Sequence, residues 1–265
     1  MELVDIGFNF TSSAFRKDAD QVVKRAIQAG VKHFVLTGSD IEESEHAAEL
    51  AAQYEGMVST AGVHPHLAKQ WQEDSCTKLK KLAVHRRVAA IGEAGLDYNR
   101  NYSTPEQQRI VFEAQLRLAV ELKMPVFLHE RDAHEDFAKI LSKHRPNLSK
   151  VVVHCFTGTN EELDTYIELD CHIGITGWIC DERRGHHLHK SIKNIPANRL
   201  MIETDAPYLL PRDLPKNKYP KPDGRRNEPA YLPHILTTVA KCRNVSVEQT
   251  AQETTLTAKD FFSIK

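Results

Sequence analysis

The chain has 265 residues, 27% charged and 41% hydrophobic, and its 35 Lys plus Arg nearly balance 36 Asp plus Glu for a formal net charge of −1. That balance excludes a globally basic nucleic-acid coat, a strongly acidic tail protein, and collagen-like, disordered or low-complexity chains. The length is ample for a large core, and no linker, charge block or compositional break divides it, so residues 1–265 are expected to form one domain.

Five cysteines, Cys76, Cys155, Cys171, Cys180 and Cys242, include no CxxC pair. This argues against a disulfide framework or a cysteine zinc site and for a reducing compartment. The start, Met1-Glu2-Leu3-Val4-Asp5, is too acidic and too short for an export signal, and no run approaches the roughly 18 apolar residues of a spanning helix. A cytoplasmic protein without membrane contact is expected. Histidine, at 14 residues, is the outlier.

Short β-branched or apolar runs recur along the chain: Leu3–Phe8, His33–Gly38, Met57–Val63, Val88–Gly92, Pro125–Leu128, Lys150–Cys155, His172–Thr176 and Leu200–Glu203. Each ends in polar residues or glycine and reads as a strand. Segments of helical periodicity separate them. The clearest is Gln107–Leu122, with Ile110, Val111, Ala114, Leu118 and Leu122 on one stripe and Pro105 near its start. Strand alternating with helix predicts parallel pairing through right-handed crossovers. Eight such units predict an α/β fold of the (β/α)8 TIM-barrel class. The rival, an open doubly wound sheet, is disfavoured because Asn9-Phe10-Thr11-Ser12-Ser13 follows the first strand where a glycine-rich turn would stand.

A barrel carries its chemistry where its strands end. Strand three is followed by Gly62-Val63-His64-Pro65-His66 and strand four by Gly92-Glu93-Ala94-Gly95-Leu96-Asp97. Strand five ends at Leu128-His129-Glu130-Arg131, strand six at Val153-His154-Cys155, and strand eight at Glu203-Thr204-Asp205-Ala206-Pro207. Glu93, His129, His154 and Asp205 are therefore expected to converge on the mouth as ligands for Mg2+, Mn2+ or Zn2+. A carboxylate there can bridge ions or accept a proton from bound water, which makes Glu93 and Asp205 the candidate catalytic residues. His64 and His66, on a turn held by Pro65, read as phosphate contacts, outer support or a capped turn. Arg131 reads as a phosphate fork or an ion-pair partner. Arg212, Lys216, Lys218, Lys221, Arg225 and Arg226, interleaved with Tyr208 and Tyr219, make a basic loop suited to single-stranded nucleic acid or simply to solvent.

The blocks Gly62–His66, Ile91–Asp97, His154-Cys155-Phe156-Thr157-Gly158 and Glu203–Tyr208 resemble the signatures of the TatD family of metal-dependent deoxyribonucleases. They fall in family order over strands three to eight. Thr176–Gly185 and Arg225-Arg226-Asn227-Glu228-Pro229 extend the resemblance toward the family's bacterial members. The resemblance implies a barrel of the amidohydrolase type and divalent-metal-dependent phosphodiester hydrolysis. It further implies 3′–5′ exonuclease action on single-stranded DNA and RNA, with a role in DNA repair. It carries metal ligation onto Glu93, His129, His154 and Asp205, with Glu93 as the bridging carboxylate.

One departure stands out. Most family members carry Asp-x-His-x-His at the end of strand one, whereas this chain has Asp5-Ile6-Gly7-Phe8-Asn9. Losing two imidazoles favours Mg2+, which takes oxygen ligands and keeps waters, and puts a tight two-ion site in question. The expectation is a monomeric exonuclease, with His64, His66, Arg131, Arg225 and Arg226 holding substrate. The alternatives are a metal-dependent esterase or lactonase on small molecules, and a non-catalytic nucleic-acid-binding protein.

Overall fold

β-branched and aliphatic side chains suit a pleated surface buried on both faces, and glycine and polar flanks end each run early. The computed structural model describes residues 1–265. It holds eight strands: β1 (Leu3–Phe8), β2 (Val31–Leu36), β3 (Met57–Ala61), β4 (Val88–Asp97), β5 (Val126–Arg131), β6 (Val151–Val153), β7 (His172–Ile175) and β8 (Leu200–Ile202). All neighbouring pairs are parallel, in the order β1 through β8. The last strand returns to the first. Phe8 bridges Ala206, the Asp205 N–H donates to Gly7 O at 2.8 Å, and the Asn9 N–H donates to Ala206 O at 2.9 Å. The sheet is thus a nearly closed barrel, as the alternation of elements led us to expect.

The helices are α1 (Ala19–Gln28), α2 (Ile41–Gln53), α3 (Ser75–Ala83), α4 (Pro105–Leu122), α5 (His134–His144), α6 (Asn160–Glu168), α7 (Leu188–Ser191), α8 (Leu232–Arg243) and α9 (Val247–Phe262). Helix α4 begins two residues before the periodic stretch. Pro105 occupies its first turn, and Thr104 and Gln107 form a reciprocal cap.

The two-residue pleat of the strands places the site. Val4, Ile6, Val35, Ala90, Phe127, Val152 and Met201 form the apolar filling of the barrel, closed from below by Ala258, Phe261 and Phe262 of α9. Alternate residues such as Val126, Leu128, Val151, Val153, Leu200 and Ile202 face outward into the larger core under the helices. Counting two residues on from Phe127, Val152 and Met201 reaches His129, His154 and Glu203, which must face the same interior, one layer higher. The Phe127 ring stacks on His154 at 4.5 Å between centroids, so the apolar filling is the floor of the polar layer.

Strand β4 runs five residues past Gly92, where the sequence reading ended it. Glycine there looked like a break, yet it is a close approach. Gly92 has φ of 140°, and a Cβ on it would collide with Phe127 O; Gly95, at 144°, stands in the same relation to His129 O. A register shift between Ile91 and Ala94 lets the pairing with β5 resume and continue to Asp97 opposite Arg131.

Candidate active site

The C-terminal ends of the strands surround a cavity of about 900 Å³, lined at its base by Glu93, His64, His129, His154 and Asp205. Glu93 Oε1 is the centre. His154 Nε2 lies 2.8 Å from it, His129 Nδ1 3.0 Å and His64 Nε2 3.3 Å. The ligand atoms of His64, Glu93 and His129 all lie within 4.8 Å of one another. Three imidazoles from β3, β5 and β6 strand ends thus enclose one carboxylate oxygen. Each nitrogen facing Glu93 with an N–H in the ion-free protein offers a lone pair to a divalent ion once that proton leaves. The donor set therefore fits a divalent metal.

Charge distribution follows from burial and contact. Burial opposes ionisation of Glu93, but the charges of His64 and His154 and hydrogen bonds from His129 and His154 hold its carboxyl well below the usual range. Burial pulls His64 down to about 4, against the pull of Glu93. Burial pushes the Asp205 carboxyl up to about 7; the His154 charge opposes this, and the Glu203 and Glu93 charges add to it. Asn9 Nδ2 donates to Asp205 Oδ1 at 3.0 Å, so the strand-one amide steadies the carboxylate on the adjoining strand end.

Behind the imidazoles lie carboxylates that hold them. His66 Nε2 is 2.7 Å from Asp97 Oδ2, and His129 Nε2 is 3.4 Å from the same oxygen. His154 Nδ1 faces Glu203 Oε2 at 3.3 Å, and the Cys155 N–H donates to Glu203 Oε1 at 2.5 Å. Glu203 is fully buried. The sequence reading passed over Glu203 as the last residue of strand eight. The signal was available: Glu203 stands two residues beyond Met201, so a strand that turns Met201 into the barrel turns Glu203 the same way.

Around the rim, Tyr102 and Tyr208 are 56% and 60% exposed, and Arg16 and Arg100 join them in lining the cavity. The Tyr102 ring meets His66 edge-on at 4.9 Å. Arg16, Arg100 and Tyr102 were not singled out from the sequence, because they sit in loops whose positions the strand pattern does not determine.

The expected residues divide into three groups. Glu93, His129, His154 and Asp205 converge at the cavity base, and His66 lies on its wall. His64 stands with the ligand-type cluster rather than among outer contacts. Arg131, Arg225 and Arg226 do not line the cavity. Arg131 packs over the Trp178 ring at 5.3 Å, and Arg184 lies over that ring at 4.1 Å. Arg225 lines a separate groove with Trp178, Arg184 and Arg212. Arg226 corrects the expectation of a phosphate contact. Its Nη1 and Nη2 each donate to Asp18 at 2.7 Å, Nη1 also reaches Ala14 O at 2.8 Å, and its side chain is 11% exposed. Its two terminal nitrogens are engaged in joining the loop after β8 to the start of α1.

A barrel whose mouth gathers imidazoles and carboxylates around one ion-sized point defines the class of metal-dependent hydrolase barrels. The family model for TatD related DNase matches residues 4–263, and the chain belongs to that family. It is similar to the 3′-5′ ssDNA/RNA exonuclease TatD of Escherichia coli K12, with 52% identity over 262 residues covering 99% of each chain. The protein of the same description from Erwinia amylovora is 51% identical over 263 residues, covering 99% of this chain and 100% of that one. Among solved structures, YjjV, a TatD homologue from Escherichia coli K12, superposes with a TM-score of 0.88 at 26% identity, covering 99% of this chain and 98% of that one. A TatD family hydrolase from Entamoeba histolytica gives 0.86 at 27% identity, with the same coverage.

Proposed function

We propose that this protein is a divalent-metal-dependent exonuclease that hydrolyses single-stranded DNA and RNA from the 3′ end and serves DNA repair. The observation that carries the reading is Glu93 Oε1 enclosed by His64, His129 and His154 at the base of a cavity rimmed by exposed tyrosines and arginines. The exonuclease relatives at 52% identity support it and are the ground for the 3′ direction. The apolar floor under His154 makes the cavity a dead end. A dead end favours insertion of a strand terminus over threading of a continuous strand.

The residues divide the work. Glu93, His64, His129 and His154 would hold the ion, with Asp205 beside them. A bound divalent ion supplies Lewis-acid polarisation of the phosphate and a more acidic water. Asp205, which lines the base of the cavity beside Glu93, takes the proton from the attacking water. Asp97 and Glu203 fix the imidazole rings. Arg16 and Arg100 pair with phosphates, while Tyr102 and Tyr208 stack on unpaired bases, which duplex DNA cannot offer. The three imidazoles around Glu93 favour Mn2+ or Zn2+ over the Mg2+ that Gly7 and Asn9 suggested. Five cysteines without a CxxC pair favour a reducing, cytoplasmic setting. No helix is long and apolar enough to cross a membrane.

The test strips the protein with EDTA and supplies Mg2+, Mn2+ or Zn2+ in separate reactions. Single-stranded oligonucleotide, duplex and a small ester are offered to each. Hydrolysis of the single strand with at least one ion supports the reading. Turnover confined to the ester, or oligonucleotide binding without turnover under every ion, overturns it.

A further inference from the structure

A second ligand-type cluster lies away from the mouth. Cys180 ends the short helical turn that follows β7, Asp213 sits in the loop after β8, and His234 lies in the first turn of α8. None of the three lines the central cavity. Their ligand atoms all fall within 4.8 Å of one another; Cys180 and His234 are buried, and Asp213 is exposed. His234 Nε2 is 2.6 Å from Asp213 Oδ1, and the Cys180 thiol makes one long hydrogen bond, to Thr238 Oγ1 at 3.4 Å. Cysteine spacing carries no hint of this cluster, because the three residues come from separate elements.

We propose that Cys180, Asp213 and His234 form a second, structural site for a zinc-class divalent ion. One thiolate, one imidazole and one carboxylate are the donors Zn2+, Co2+ or Ni2+ select, whereas Mg2+ takes oxygens. Bonds of about 2.0–2.3 Å in tetrahedral geometry place ligand atoms about 3.3–3.8 Å apart. The cluster is already within rotamer reach: the His234–Asp213 contact opens slightly and the thiol closes in. The exposed side of Asp213 admits the ion and leaves a fourth position for water.

The consequence concerns the basic loop. Residues 212–225 carry Arg212, Lys216, Lys218, Lys221 and Arg225. An ion on Asp213 ties the start of that loop to α8 and to the turn after β7, where Trp178 also sits. The groove formed by Trp178, Arg184, Arg212 and Arg225 is then held in shape. The site acts on loop order and leaves the reacting atoms to the mouth.

Cobalt substitution reads the site directly. EDTA-stripped full-length protein is titrated with Co2+ and watched for the near-ultraviolet thiolate-to-cobalt charge-transfer band. The proposal expects the band in the wild type and in Cys155→Ser, whose thiol lines the active-site cavity, and its loss in Cys180→Ser. Asp213→Ala, on an exposed loop, guards against a folding failure at the buried positions. It should bind one fewer equivalent of Zn2+ by calorimetry, and Zn2+ should no longer slow tryptic cleavage within residues 216–225. No band in the wild type, a band that survives Cys180→Ser, or one that vanishes in Cys155→Ser overturns the proposal, as does unchanged Zn2+ stoichiometry in Asp213→Ala.

Discussion

Gly7 leaves open the space that the Glu203 carboxylate occupies: a Cβ on residue 7 would run into Glu203 Oε2. The same carboxylate presses on Gly174 from the other side, so it is seated between two glycines in β1 and β7. From that seat it faces His154 Nδ1 and takes the Cys155 N–H. Seated there, the acid orients a ligand-type imidazole from behind, favouring the tautomer whose Nε2 lone pair faces the cavity.

Glu203→Gln keeps the shape and removes the charge. It should weaken divalent-ion binding by about 10- to 100-fold with little change in melting temperature, as calorimetric titration and thermal unfolding would report. Gly7→Ala should act in the same direction by displacing the carboxylate. Wild-type ion affinity in both variants would leave Glu203 a packing residue.

Tyr102→Ala and Arg100→Ala should raise KM for a single-stranded oligonucleotide more than they lower kcat. The expected cost is about 1–3 kcal/mol for a lost base stack at Tyr102. The Arg100 effect should shrink at high salt, since it is a phosphate contact. Arg226→Ala should leave KM nearly unchanged and lower the melting temperature, because its donors serve Asp18 and Ala14. Steady-state kinetics at two ionic strengths separates these outcomes.

Phe262→Ala should cost about 3–5 kcal/mol in denaturant unfolding, because its ring plugs the barrel from below and is 2% exposed. Loss of activity should follow loss of stability, since the floor under His154 loosens with it.

Stability should also carry a histidine signature. Burial depresses His172 to about 4, with the Arg199 charge adding. In the unfolded chain it titrates near 6.5. Between about 4 and 6.5 the unfolded state binds more protons, so His172 costs stability progressively as pH falls through that window and costs nothing above it. Melting temperatures of wild type and His172→Gln should draw together or cross between pH 7.5 and pH 5. A constant offset across that range would remove His172 from the account.

Most of the barrel was legible because its evidence is local. A buried parallel strand needs a short β-branched run, and each of the eight runs contributed one. The strand-end residues Glu93, His129, His154 and Asp205 were legible for the same reason: each stands at or just past the polar break that ends an apolar run. His64 reached the ligand cluster through the turn at Pro65, a geometry residue spacing does not encode. Glu203 was within reach of the pleat argument but hidden beside Asp205. Arg16, Arg100 and Tyr102 meet only because loops after β1 and β4 fold over one mouth, and Arg226 was misread because its partner, Asp18, is 208 positions away. Contacts between distant loops leave no periodic trace.

The central claim is tested most directly with a single-stranded DNA oligonucleotide labelled at its 5′ end. It is incubated with the protein and Mn2+, Mg2+ or Zn2+, with and without EDTA, beside Glu93→Ala. The account predicts a ladder shortening from the 3′ end, abolished by EDTA and by the substitution. An intact oligonucleotide under all three ions, or a ladder that persists in Glu93→Ala, would contradict it.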